Sequence, residues 1–119
     1  MNPIYAISAS LLVALAGCAG AAANLSYNGS ANGTHSETAD CDDAGTIKGS
    51  GHVRDGSVLI TLKDAAGKQL FQQSFKGEFK LDAKAVSGSS GTWTLSAQRN
   101  GDDLLGDAFS GKYGFNVDC

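Results

Sequence analysis

From Thr46 to Cys119 the apolar residues of this chain recur at every second position, and that period restricts the fold more than any other feature. Ile47, Gly49, Gly51 and Val53 alternate with Thr46, Lys48, Ser50 and His52. Val58, Ile60 and Leu62 repeat the pattern, and Phe71 and Phe75 share one face of the segment 69–75. Phe79, Leu81, Ala83 and Ala85 alternate with Glu78, Lys80, Asp82 and Lys84; Trp93, Leu95 and Ala97 alternate with Thr92, Thr94, Ser96 and Gln98. Tyr113, Phe115, Val117 and Cys119 close the series. Successive side chains of a strand point to opposite faces, so these segments read as half-buried strands and not as helices. Arg54-Asp55-Gly56, Asp64-Ala65-Ala66-Gly67, Ser87-Gly88-Ser89-Ser90-Gly91 and Asn100-Gly101-Asp102-Asp103 separate them as turns and loops. Sixteen glycines against one proline suit tight turns and bulges. Short strands with one wet face, punctuated in this way, predict an all-β domain: an antiparallel β-sandwich, with a small barrel as the alternative.

The N-terminus has a different character. Residues 4–16, IYAISASLLVALA, are apolar or small and carry no charge, which matches the hydrophobic region of an export signal. Leu15-Ala16-Gly17-Cys18 ends this stretch and resembles the lipobox of bacterial lipoprotein signal peptides. The resemblance implies cleavage before Cys18, lipidation of Cys18 as the first mature residue, and attachment to the membrane through its acyl chains. It also implies a cell-envelope location, and Ala19 in place of Asp after the cysteine favours the outer membrane if the source is Gram-negative. One departure is the lack of Lys or Arg in residues 1–10. Two other readings stay open: Ala19-Gly20-Ala21 and Ala21-Ala22-Ala23 both suit ordinary A-x-A cleavage, and residues 4–23 are long enough for an uncleaved membrane span.

With Cys18 assigned to lipid, the three cysteines of the chain leave Cys41 and Cys119 as a pair. In an exported chain the pair is expected as a structural disulfide; free or metal-binding thiols are the alternative, weakened by the absence of a CxxC motif. The segment between anchor and domain, AGAAANLSYNGSANGTHSETAD, is rich in Ala, Gly, Asn, Ser and Thr and reads as a flexible linker. The expected organisation is therefore a signal peptide over 1–17, lipidated Cys18 and linker over 18–40, and one domain over 41–119. Three N-x-S/T triplets, beginning at Asn24, Asn28 and Asn32, would be glycan acceptors in a eukaryotic or archaeal source, and they also arise easily in such a composition.

Net charge is −3, and the bases lie in the middle of the chain: residues 48–99 hold eight of the nine Lys and Arg. They are scattered singly rather than clustered with aromatics, which argues against a nucleic-acid footprint and reads as solvated strand faces.

Gly91-Thr92-Trp93-Thr94-Leu95, followed by Asn100-Gly101-Asp102-Asp103, Gly106-Asp107, Phe109, Gly111 and Phe115-Asn116-Val117, resembles the last strands of jelly-roll domains of secreted and surface proteins, such as proprotein-convertase P domains and pre-peptidase C-terminal domains. The resemblance covers a minor part of the chain. It implies a jelly-roll-like sandwich with an accessory or binding role, and it transfers no site.

Several groups of side chains have the composition, though not the spacing, of chemical sites. His35, Glu37, Asp40, Asp42 and Asp43 lack EF-hand spacing and read as a solvated acidic stretch. Asp102, Asp103 and Asp107 are the better calcium candidates, because a loop bearing Gly101 and Gly106 can converge carboxylates, although acidic turn residues are common in β-proteins. His52 falls on the wet face of its strand, and no G-x-S-x-G motif supports Ser57 or another serine as a nucleophile. Trp93 could stack on a sugar, but its phase with Leu95 and Ala97 makes it core. No catalytic or metal residue is assigned and no cofactor is expected. The expectation is a non-enzymatic, lipid-anchored binding or structural module with an envelope protein or glycan as partner. The alternatives are a calcium-dependent accessory module or a small secreted hydrolase.

Overall fold

The computed structural model describes residues 21–102 and 106–119. Within them run six strands: β1 (Ala22–Gly29), β2 (Gly33–Cys41), β3 (Ala44–Lys63), β4 (Gln69–Ser87), β5 (Gly91–Asn100) and β6 (Ser110–Asp118). All pairings are antiparallel and nested: β1 lies against β6, β2 against β5, and β3 against β4. The long β3 changes partner along its free side, taking β6 over Thr46–Asp55 and β5 over Ser57–Lys63.

That change of partner makes two layers. The first half of β3 joins β1, β6 and the second half of β4; its second half joins β2, β5 and the first half of β4. Counting the halves of β3 and β4 separately gives eight strand segments in two four-stranded sheets. A nested antiparallel ladder rolled over itself in this way is a jelly roll. The expected all-β antiparallel sandwich is present, with the ladder continuous through β3 and edges at β1, at β2 and along the outer side of β4.

Glycines set the bend. Arg54-Asp55-Gly56, expected as a hairpin turn, is a corner inside β3, where Gly56 has φ of 82°. A Cβ at Gly56 would collide with the Asn100 carbonyl oxygen. Gly77, with φ of 66°, bends β4 at the same level, opposite Val53. The segments 69–75 and 78–86, expected as separate strands, are therefore one. A second register shift between the pairs at Ile47 and Gly49 breaks the even alternation expected for Glu78–Val86. Ala83 and Ala85 consequently lie exposed, while Val86 packs partly against the core.

The core comes from both layers: Leu25, Ile47, Val58, Ile60, Leu62, Trp93, Leu95, Phe109 and Val117 are almost wholly buried. The aromatic residues form a run through the interior, with ring centroids 5.3 Å apart for Phe75–Phe115 and 5.7 Å for the stacked Phe79–Phe115 pair. Gly49 and Gly51 face inward beneath these rings, since a Cβ on either would strike Phe115 or the backbone of β6 and, for Gly51, Phe79 as well. Cys41 and Cys119 form the expected disulfide, with Cα atoms 5.3 Å apart, at the end of the sandwich where β2 finishes and β6 has just ended.

The expectation of a flexible linker over 18–40 is corrected. Residues 22–29 and 33–41 are strands, so the domain begins at Ala22 rather than Cys41. Ala23 and Leu25 are buried while Asn24, Ser26 and Asn28 face outward, and Ala39 and Cys41 are buried at the end of β2. The inward residues are few and mostly small, so neither segment has a strong apolar period; ladder bonds to β6 and β5 hold them instead. Cys18 and the signal peptide over 1–17 lie outside the described residues.

Each end of the sandwich is closed by side chains. At the far end the Arg99 guanidinium stacks 3.8 Å from the centroid of the Tyr27 ring, its Nε donates to the Ala31 carbonyl at 3.0 Å and its Nη1 to the Tyr113 hydroxyl at 3.2 Å. Burial pushes the Tyr113 phenol above its ordinary pKa, against the opposing pull of Arg99. At the disulfide end Asp64 ties two loops. Its Oδ1 accepts from the backbone N–H of Ala66 and Lys68, and its Oδ2 from that of Ser89 at 2.9 Å.

These donors, Ser89 first, hold the Asp64 carboxyl below its reference pKa of 3.8. A carboxylate depressed in the folded state stabilises the fold above its unfolded pKa, and the contribution is lost as pH falls through the folded value. Asp64→Asn places an amide donor against one of these N–H groups, so its melting midpoint falls at pH 7. The gap from the parent protein narrows below about pH 4, where the parent carboxyl begins to protonate in the unfolded chain. Melts of both proteins from neutral to acidic pH check this; a gap that does not narrow in acid removes Asp64 as the titrating tie.

Candidate surface groove

Leu25, Ile47, Phe115 and Val117 point inward, so the alternate residues of the same strands form the outer face of the first sheet. Register aligns them in rows across the strands. Asn24 of β1, Asn116 of β6 and Lys48 of β3 make one row. Ser26, Gly114 and Ser50 make the next, continued by Lys80 of β4. Asn28, Lys112, His52 and Glu78 make the third. Long side chains on the outer rows and short ones at Ser26, Gly114 and Ser50 leave a hollow of about 470 Å³ whose polar lining is Asn24, Ser26, Lys48, Ser50, Lys80, Asp82 and Asn116. Adjoining hollows extend it towards Asn28 and Lys112, and towards His52 and Glu78, with Ser50 common to all three.

The electrostatics of this face are uneven. Lys80 pairs with Asp82 at 3.6 Å, both well exposed, an arrangement of little energetic weight. Lys48 and Lys112 have no carboxylate within 4.0 Å among the described residues. The Asn116 Nδ2 donates to Asn24 Oδ1, while Asn116 Oδ1, shielded from solvent, has no hydrogen-bond partner among the described residues. The arrangement offers hydroxyls, amides, ammonium groups and the Asp82 carboxylate around a shallow floor to which Leu81 and Ala83 add apolar surface.

The calcium candidates are only partly brought together. Asp102 and Asp107 pair as an isolated β-bridge, with Asp102 N–H donating to the Asp107 carbonyl at 3.0 Å, and Asp103 lies outside the described residues. No group of three or more His, Cys, Asp or Glu side chains suited to a metal occurs among the described residues. The acidic residues after His35 belong partly to β2: His35 Nε2 lies 2.8 Å from Glu37 Oε2, and Asp40 accepts from the Thr92 hydroxyl at 2.9 Å. His52 stands on the open face between Lys112 and Glu78, whereas Ser57 pairs with Asn100 in the other sheet. Trp93 is 1% exposed and its indole N–H donates to the Ser89 carbonyl at 2.7 Å, so it is core and offers no stacking face.

The groove escaped sequence reading because one of its walls is β1. The alternation of Ala23 and Leu25 with Asn24, Ser26 and Asn28 was present in the sequence, at low amplitude. No family model matches this chain, and no curated protein is similar to it.

Proposed function

We propose that this chain is a lipid-anchored, non-enzymatic binding module of the cell envelope, held by acyl chains on Cys18 and acting through the outer face of its first sheet. The observation that carries the reading is the Cys41–Cys119 disulfide, because such bonds persist in oxidising compartments outside the cytosol. The Leu15-Ala16-Gly17-Cys18 run supports the anchor, and an outer-membrane location follows for a Gram-negative source.

The early start of the fold sharpens what that anchor would do. The Ala21 carbonyl accepts the Cys119 N–H at 2.9 Å, and only Ala19 and Gly20 lie between Cys18 and Ala21 in the sequence. Three residue steps span at most about 10 Å. The sandwich would then stand on its disulfide end, close against the lipid, and not at the end of a long tether. Several acyl chains, each contributing about 0.8 kcal/mol per buried methylene, make such attachment stable.

Metabolic labelling with palmitate tests the anchor. The parent protein should take up label and fractionate with membranes, and Cys18→Ser should do neither. Equal labelling and fractionation of the two proteins would sink the reading.

A further inference from the structure

We infer that the hollow across β1, β6, β3 and β4 is a binding site for an anionic glycan, an inference that rests on the envelope-binding reading and gives it a ligand class. The first support is the volume itself, about 470 Å³ with further hollows adjoining it on the same face. The second is charge. In a chain of net charge −3, Lys48 and Lys112 flank the floor with no carboxylate within 4.0 Å among the described residues; of the two carboxylates that also line these hollows, Asp82 is paired with Lys80 and Glu78 stands at the outer edge beside His52. Their rows are four strand positions apart, roughly 13 Å along the sheet, so two separated anionic groups of one ligand can meet them. Between them Asn24, Asn28, Ser26 and Ser50 present amides and hydroxyls suited to sugar hydroxyls.

A third observation concerns the floor. Inward Gly45, Gly49 and Gly51 each have no room for a Cβ, so packing demands glycine there. Gly114 differs: a Cβ would meet nothing within 4 Å, and its φ is not positive. It sits in β6, paired on both sides, where glycine weakens a strand. The fold does not require glycine at 114, whereas close approach of a ligand to the strand backbone does. The hollow runs across the strands, so an added peptide strand would find no ladder partners in it. His52, at one edge, is the single ring-bearing residue of its outward rows, so successive nucleobases would find no stacking platform.

The test uses the mature acylated protein in detergent micelles, titrated calorimetrically with three probes: a galacturonic acid tetrasaccharide, a phosphorylated mannose tetrasaccharide and neutral maltotetraose. One of the two anionic probes should bind, with the neutral sugar weaker by about tenfold or more, and added salt should weaken the interaction. Lys48→Gln with Lys112→Gln should lower affinity by about tenfold or more. Gly114→Val should abolish binding while its melting midpoint stays level or rises, since valine is the better strand former. No binding of either anionic probe at millimolar concentration, equal binding of the neutral sugar, or retained binding in Gly114→Val would each overturn the inference, as would a lowered midpoint in that variant. Cys18→Ser should bind the anionic probe as the parent does. A failed palmitate experiment and a failed titration therefore point to different errors.

Discussion

Removal of the Cys41–Cys119 crosslink, by Cys41→Ala with Cys119→Ala, is expected to bring the domain to the margin of stability. The two residues are separated by 78 positions, for which the chain-entropy model gives a contribution of about 4.5 kcal/mol. Small domains hold roughly 5–15 kcal/mol in all. At about 4–8 °C per kcal/mol for a domain of this size, the melting midpoint should fall by roughly 18–36 °C. The position of the bond adds to its effect. Cys41 ends β2 in one sheet and Cys119 follows β6 in the other, so the crosslink ties the layers on the side where β1 and β2 are unpaired. Circular-dichroism melts of the parent, the double variant and the reduced parent, with free thiols counted by mass, check this. A midpoint within a few degrees of the parent would show that the ladders alone carry the fold.

The second large effect is expected at Trp93. Truncation of a buried tryptophan to alanine removes the largest side chain of the core and should destabilise by about 3–5 kcal/mol. Trp93→Phe separates packing from hydrogen bonding: it keeps most of the ring volume but strands the Ser89 carbonyl, a loss of roughly 1 kcal/mol. Chemical denaturation with equal slopes for all variants would read these differences as stability. The Trp93 and disulfide effects should not add. A Cβ at Gly45 would lie 3.0 Å from Cys119 Cβ and 3.3 Å from Trp93 Cζ3, so the two groups close one corner of the core. Neighbours of this kind couple by about 0.5–3 kcal/mol, and a double-mutant cycle gives the value. Strict additivity would mean that the corner relaxes independently around each group.

The inner faces of β3, β5 and β6 were legible because large apolar residues alternate there with polar ones. Trp93, Leu95 and Ala97, and Tyr113, Phe115 and Val117, are buried in the phase that their spacing requires. The corner at Arg54-Asp55-Gly56 was not legible as a corner. An Asp-Gly pair announces a reversal, but here the left-handed glycine turns one strand from β6 onto β5 without reversing it. The early strands were missed for a different reason. Burying Ala23, Leu25, Ala39 and Cys41 removes little apolar area from water, and β1 and β2 form because partners remote in sequence supply their ladders.

The candidate groove was the least legible part. Its walls come from Asn24, Lys48, Lys80 and Asn116, and nothing in the order of these residues brings them together. What the sequence by itself determined is local: which face of each well-patterned strand is apolar and where the chain bends or reverses. Only the tertiary structure decided which strands are neighbours and in what register. The physical reason lies in the pleat. A strand's own residues set its two faces, but a slip of one position against its neighbour exchanges those faces across the sheet, and that register is selected by burial of all the strands at once.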